Sequence, residues 1–253
     1  MNWLLQQRQG DLQEWMDIGG ADQIKLFQTY RFFSVINRFF SGWSKLYESY
    51  ILPLADENQP IEILDIGFGG GDIPLKIYNW AKQDGIRVKI TGIETDPRAL
   101  TYVDSKTWPD EITFEYLTTH ELIADGKTFD VVISNHLLHH LTDPELKVML
   151  EDAGKLSDNL VLFNDLERNP MAFTAFSVFI APFCPGSYIA YDGRISIRKS
   201  YRKGELQAVV PAGWKVKRMK PWRLLLIRKK NERSEQEQAD MPNSRFGNKG
   251  IGK

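Results

Sequence analysis

Apolar positions along this chain follow two periods. Between residues 27 and 50 they recur at Ile36, Phe40, Trp43, Tyr47 and Tyr50, the spacing of one helical face. Nine aromatic residues fall between Phe27 and Tyr50. Residues 54–60, rich in Pro, Asn and Asp, break this stretch as a loop. Short apolar runs then alternate with helical stretches. Runs at 61–66, 88–93, 112–117, 129–134 and 160–164 predict five strands. Helices are predicted over 73–83, over 97–106 with Asp96 as N-cap, and over 143–156 with Pro144 in the first turn. Strands alternating with helices predict an α/β fold, with a parallel sheet covered on both faces.

The pattern changes after the fifth strand. Residues 169–191 carry no charge and are broken by Pro170, Pro182, Pro185 and Gly186. Residues 202–210 read as a helix, and 214–228 as two closing strands around Pro221. Residues 231–253 are polar, with little to bury, and predict a disordered tail. The implied organisation is a helical N-terminal cap over 1–55 and an α/β domain over 56–230. Within that domain, 169–200 form an inserted cap over the substrate, and the tail follows.

Composition narrows this only slightly. At 253 residues and 42% apolar, the chain suits one α/β domain with a cap. A net charge of −1 does not point to nucleic acid. The single cysteine, Cys184, excludes an internal disulfide framework and a cysteine-rich zinc site, and it fits a reducing cytosol. No segment reads as a signal peptide or a clean transmembrane helix, so a cytoplasmic protein is expected.

The sharpest motif is Leu64-Asp65-Ile66-Gly67-Phe68-Gly69-Gly70-Gly71-Asp72, which follows a strand and opens a helix. Glycines there allow a tight turn and close approach of backbone to a ligand. A dinucleotide site wants G-x-G-x-x-G, and Asp72 stands where its last glycine would be. An acid two before the first glycine, then G-x-G-x-G, resembles motif I of the class I S-adenosylmethionine-dependent methyltransferases. Glu94, at the end of the second strand, stands where that family holds the ribose hydroxyls; a carboxylate can accept a hydrogen bond from each. The family often has an acid after strand three, near the adenine amine. This chain has Leu117-Thr118-Thr119 instead, so Thr118 or a backbone group would serve. The fourth station, Phe129 to Asn135, matches.

The resemblance covers residues 61–166, and more loosely extends to 228. It implies a Rossmann-like, doubly wound, seven-stranded, mostly parallel sheet whose last strand is antiparallel. It implies S-adenosylmethionine as cofactor, held by Asp65, Gly67, Phe68, Gly69, Gly71, Asp72, Glu94, Thr95, Thr118 and Asn135. Within the family the chain is similar to the ubiquinone/menaquinone-methylase-like enzymes and to bacterial small-molecule O-methyltransferases.

Three of the four histidines lie in Asn135-His136-Leu137-Leu138-His139-His140, just after strand four, at the sheet edge where open α/β folds bind ligands. Their pKa suits a general base. Asp165, at the end of the fifth strand, can orient one of them. By resemblance His139 is the candidate base and Asp165 its partner, with His136 and then His140 as the other candidates. No metal site is expected: the histidines lack cysteine partners, and adjacent residues such as His139 and His140 rarely aim at one ion.

The acceptor is less defined. Base-amino methylases carry Asn/Asp-Pro-Pro-Tyr after strand four; Ser134-Asn135-His136-Leu137 departs from this and argues against DNA. A site roofed by aromatic side chains favours a small lipophilic aromatic acceptor: a phenol, quinol or polyketide-like molecule methylated at oxygen in preference to carbon. Residues 194–230 hold thirteen Lys or Arg against one acid, Glu205. The plainer reading is a solvated face on edge strands. The alternative is an RNA methyltransferase using this face, which reversing charge at Lys215, Lys217 and Arg218 would test. The opposite charge of the remaining chain leaves a homodimer open. A non-catalytic S-adenosylmethionine-binding scaffold is the third reading.

Overall fold

The computed structural model describes residues 5–230; the tail expected over 231–253 lies outside the described residues. Seven strands form one sheet: β1 (Ile61–Ile66), β2 (Val88–Glu94), β3 (Ile112–Tyr116), β4 (Phe129–Asn135), β5 (Ser157–Leu166), β6 (Lys215–Met219) and β7 (Arg223–Lys229). Their order is β3-β2-β1-β4-β5-β7-β6. The first five pair in parallel, and β7 runs antiparallel to both β5 and β6. The order reverses between β1 and β4, the crevice in which open α/β sheets bind ligands.

The central strands read as continuous apolar runs because successive side chains enter two different cores. Val131 and Ile133 of β4, Leu160 and Leu162 of β5, and Leu225 and Ile227 of β7 pack on one face. Val132, Val161, Phe163, Leu224 and Leu226 pack on the other. The first core takes its helical cover from α2 (Trp43–Leu46) and α3 (Asp72–Gln83). The second is covered by α6 (Asp143–Leu156) and α9 (Lys203–Val209). A third cluster joins α1 (Gln23–Phe40) to α4 (Pro97–Asp104) through Leu26, Tyr30, Ala99 and Tyr102.

Three helices among the described residues were not legible in the hydrophobic pattern, the short α7 (Pro170–Ala175) within 169–183 and two others. The short α5 (Thr119–Ala124) is announced instead by its capping box, in which Thr118 and Glu121 satisfy each other's backbone N–H groups. The longer α8 (Ile189–Lys199) buries Asp192, Ser196 and Lys199 beside its isoleucines, so its inner face is not apolar and the period fails. Between β5 and α8, residues 169–183 form α7 (Pro170–Ala175), a π-type turn at Phe176–Ile180 and a short 3-10 turn. The basic C-terminal stretch is only partly a solvated face. Lys199 and Arg223 are buried, Arg194 bonds Ser177, and Arg198 bonds Gln9. These side chains tie other elements together. Among the described residues no helix is long and apolar enough to cross a membrane.

Candidate functional site

The loop after β1 builds the first part of the site. Gly67, Gly69 and Gly71 all have positive φ. At Gly71, φ is +71° and a Cβ would stand 2.8 Å from both Trp108 and Phe114, so this position accepts no side chain as built. Glu94 reaches back from the end of β2. One carboxylate oxygen accepts from the Gly69 N–H at 3.3 Å and the other from the Thr95 N–H at 2.9 Å. Phe68 is turned inward, 4.7 Å from the Phe114 ring.

Two adjoining cavities run along the carboxyl ends of β1, β2 and β4, sharing Gly67, Glu94 and Leu137. Together they form a trench. The outer part, about 460 Å³, is walled by Ile93, Leu117, Thr118 and Leu141, with Asp152 of α6 at its edge. Thr118 is committed to its cap, its hydroxyl 2.7 Å from Glu121, so its side chain has little left for a ligand. The inner part, about 230 Å³, is acidic and includes Asp65, Asp72 and Glu94. Asp72 is held by Asn37 and Lys76. Asp65 is fully buried and its Oδ1 has no partner among the described residues. Burial, reinforced by Asp72 and then Glu94, pushes its pKa well above the ordinary carboxylate value.

The N-terminal segment crosses the inner trench. The N–H groups of Trp15 and Met16 donate to Asp192 of α8 at 2.7 and 3.0 Å, and Trp15 stacks on Tyr191. This delivers Glu14, which the sequence reading missed, to a buried position. Glu14 Oε1 lies 3.5 Å from His139 Nε2 and 3.6 Å from Lys199 Nζ. On the other side, Asp165 accepts from the His139 backbone N–H and from Nδ1, both at 2.8 Å. Burial opposes charge on His139, but Asp165 and then Glu14 outweigh it and raise its pKa to about 9. Burial would also raise Glu14, yet His139, His140 and Lys199 bring it down to about 2. His139 is therefore a charged imidazolium at neutral pH, fixed between two carboxylates.

His136 is placed differently. Its φ is +63°, in the left-handed region, held there by a 3.0 Å bond from its N–H to Asn164. Its Nε2 lies 3.2 Å from Arg223 Nη1, while Asp165 is 4.0 Å from Nδ1. Burial, and then Arg223, lower its pKa well below the ordinary value, so its imidazole is neutral. Asn135 lines the inner trench, and its Oδ1 accepts from Trp43 Nε1 at 3.0 Å and Arg223 Nη2 at 2.8 Å.

Beyond His136 lies a third cavity of about 370 Å³, walled by Ile36, Phe40, Phe176, Phe179 and Trp222. These residues come from α1, the π-type turn and the β6–β7 connection. Phe33, His136 and Ser196 line this cavity and the inner trench alike. Trench and cavity thus share one wall.

Residues 63–157 match the family described as "Methyltransferase domain". Over 122 residues the chain is 26% identical to a ubiquinone biosynthesis O-methyltransferase of Cereibacter sphaeroides, covering 46% of this chain and 45% of that protein. The match thus spans about half the length of its curated relative. Among solved structures, the plantazolicin methyltransferase BpumL in complex with SAH superposes with a TM-score of 0.55 at 14% identity, over 82% of this chain and 95% of that one. An O-methyltransferase family protein from Burkholderia thailandensis gives 0.53 at 14% identity, over 79% and 57%. Taken with the order of the strands and the glycine loop, these matches identify a methyltransferase domain over residues 63–157 on a Rossmann-like fold, and they support a class I, S-adenosylmethionine-dependent methyltransferase.

Proposed function

We propose that the protein transfers a methyl group from S-adenosylmethionine to a small lipophilic aromatic acceptor, a phenol, quinol or polyketide-like molecule, at oxygen in preference to carbon. The observation that carries this reading is the shared wall. Phe33 and His136 border both the trench and the apolar cavity, so a donor in one and an acceptor in the other meet beside them. The relatives named as ubiquinone O-methyltransferases support an aromatic oxygen as the acceptor atom.

The residues present fit the donor. The unpaired oxygen of Asp65, crowded by Asp72 and Glu94, calls for a cation, and the α-ammonium of the methionine part is one. Glu94 keeps lone pairs beyond its two backbone bonds, which suits vicinal ribose hydroxyls. The apolar outer trench suits a purine ring. When bound, the cofactor supplies a methyl group on a sulfonium, an activated leaving system. The chain's own work is alignment and exclusion of water.

On this reading the histidines take roles other than those expected from sequence. His139 is hydrogen-bonded through Nδ1 to Asp165 and faces Glu14 Oε1 at 3.5 Å, and with its pKa raised to about 9 it holds its proton at neutral pH and is a poor base. It is a positioning residue that fixes the loop carrying His136. His136, on the shared wall, is the histidine that meets the acceptor.

Calorimetric titration with S-adenosylmethionine and S-adenosylhomocysteine, beside a Glu94→Ala variant, tests the cofactor half. Micromolar binding that weakens at least about tenfold in the variant is expected. Turnover on a panel of lipophilic phenols tests the acceptor half. Absence of cofactor binding by the wild type would sink the reading.

A further inference from the structure

Among the described residues, three basic side chains other than histidine are buried: Arg168, Lys199 and Arg223. Arg168 is paired with Glu205, and Lys199 lies 3.6 Å from Glu14. Among the described residues Arg223 has no carboxylate at ion-pairing distance, although it is only 2% exposed. Its four hydrogen bonds run to neutral groups: Asn164 Oδ1 at 2.7 Å, Asn135 Oδ1 at 2.8 Å, His136 Nε2 at 3.2 Å and the Asn164 carbonyl at 3.4 Å. A guanidinium carries five N–H groups, so one, on Nη1, finds no acceptor among the described residues. Asp165, the nearest carboxylate to influence it, already serves His139. Burial lowers the Arg223 pKa to about 10, which still leaves it charged at neutral pH.

Arg223 and His136 both line the largely apolar cavity, with Ser196 and Glu167 as its other polar residues. The other charged residue there, Glu167, is engaged by Arg218 Nε at 2.7 Å. A buried charge is costly unless an opposite charge and hydrogen bonds compensate it. We propose that Arg223, with the ring of His136 beside it, is the anion-binding point of this cavity, and that the acceptor binds there as an ionised oxygen acid on an apolar skeleton. This rests on the methyltransferase reading and narrows it. The acceptor's proton goes to solvent on binding. In the transfer itself the oxyanion's lone pair forms the new C–O bond while the C–S bond breaks and its electron pair stays on sulfur. No proton moves in that step, so no general base is required. His136, its Nε2 facing the guanidinium, positions Arg223 and keeps water out.

The test uses the protein saturated with S-adenosylhomocysteine and a matched probe pair, 2-naphthoate and its neutral amide, 2-naphthamide. The wild type is expected to bind the carboxylate roughly tenfold or more tightly than the amide. Arg223→Gln should erase that preference and Arg223→Lys should restore part of it, with retained S-adenosylhomocysteine binding as the check that each variant is folded. A second readout needs no variant: 4-nitrophenol added at pH 6 should show the absorbance of its phenolate when bound. Equal affinity for the two naphthalene probes, failure of both to bind, or a bound nitrophenol that stays protonated would each overturn the proposal. Any of these with S-adenosylhomocysteine still bound leaves the methyltransferase reading standing. Loss of S-adenosylhomocysteine binding by the wild type removes that reading instead.

Discussion

The trench and the cavity share a wall but differ in how much of each is backbone. The inner trench has a backbone floor, the glycine loop after β1 and the ends of three parallel strands, and side chains of the N-terminal segment and α1 close it over. The cavity is made by side chains from segments far apart in the chain: α1, His136 after β4, residues 166–167 at the end of β5, residues 172–197, and residues 221–223. A backbone-built site tolerates little change at its glycines and is indifferent to the identity of distant side chains. A side-chain-built site can change its ligand by single substitutions while the fold survives.

The largest effect should come from Gly71→Val. The new Cβ would meet Trp108 and Phe114 at 2.8 Å at a φ that side chains disfavour. Strain and overpacking together should destabilise the fold by about 2–4 kcal/mol. Cofactor affinity should fall at least about a hundredfold, read by calorimetry. Affinity within threefold of wild type would show that the loop does not define the trench.

The clamp between the two regions should titrate. His139 is raised from 6.5 to about 9, so its contribution is fully present below pH 6.5 and is lost as pH rises through about 9. The loss should be on the order of 3 kcal/mol. Urea unfolding at pH 6.5, 8 and 9.5 reads it, and His139→Gln should flatten the alkaline limb. An equally steep limb in the variant would assign the loss to other groups.

Gly193→Ala sharpens the comparison from the cavity side. A Cβ there would meet the Phe176 ring at 2.2 Å, so the ring must move into the cavity it lines. Binding of 2-naphthoate should weaken about five- to tenfold, with S-adenosylhomocysteine affinity unchanged within about twofold. Equal losses for both ligands would mean that the two regions are not separable.

The smallest effect is expected at Lys217→Glu, on the exposed basic face outside both regions. Turnover should stay within about twofold, because an exposed charge is screened. Salt-sensitive RNA binding that this substitution abolishes would revive the RNA alternative.

The sequence alone determined the strand order's raw material, the glycine loop and Glu94, because each is local. A buried parallel strand needs a short apolar run, a sharp turn needs glycines, and both are written in consecutive residues. Only the tertiary structure decided where Glu14, Arg223 and the histidines stand and what they meet. Trp15, next to Glu14, meets Asp192 across 177 positions, and Arg223 meets His136 across 87. From sequence alone, His139 looked like a base because a histidine beside an acid suits that task. In the fold a second carboxylate, carried in by the N-terminal segment, stands 3.5 Å from its other nitrogen, and the two acids raise its pKa to about 9. Likewise Arg223 stands in a basic stretch that reads as solvated surface, and the pairing of β7 with β5 buries it. Charge and burial at such positions are set by neighbours distant in sequence, and the pattern along the chain does not carry that information.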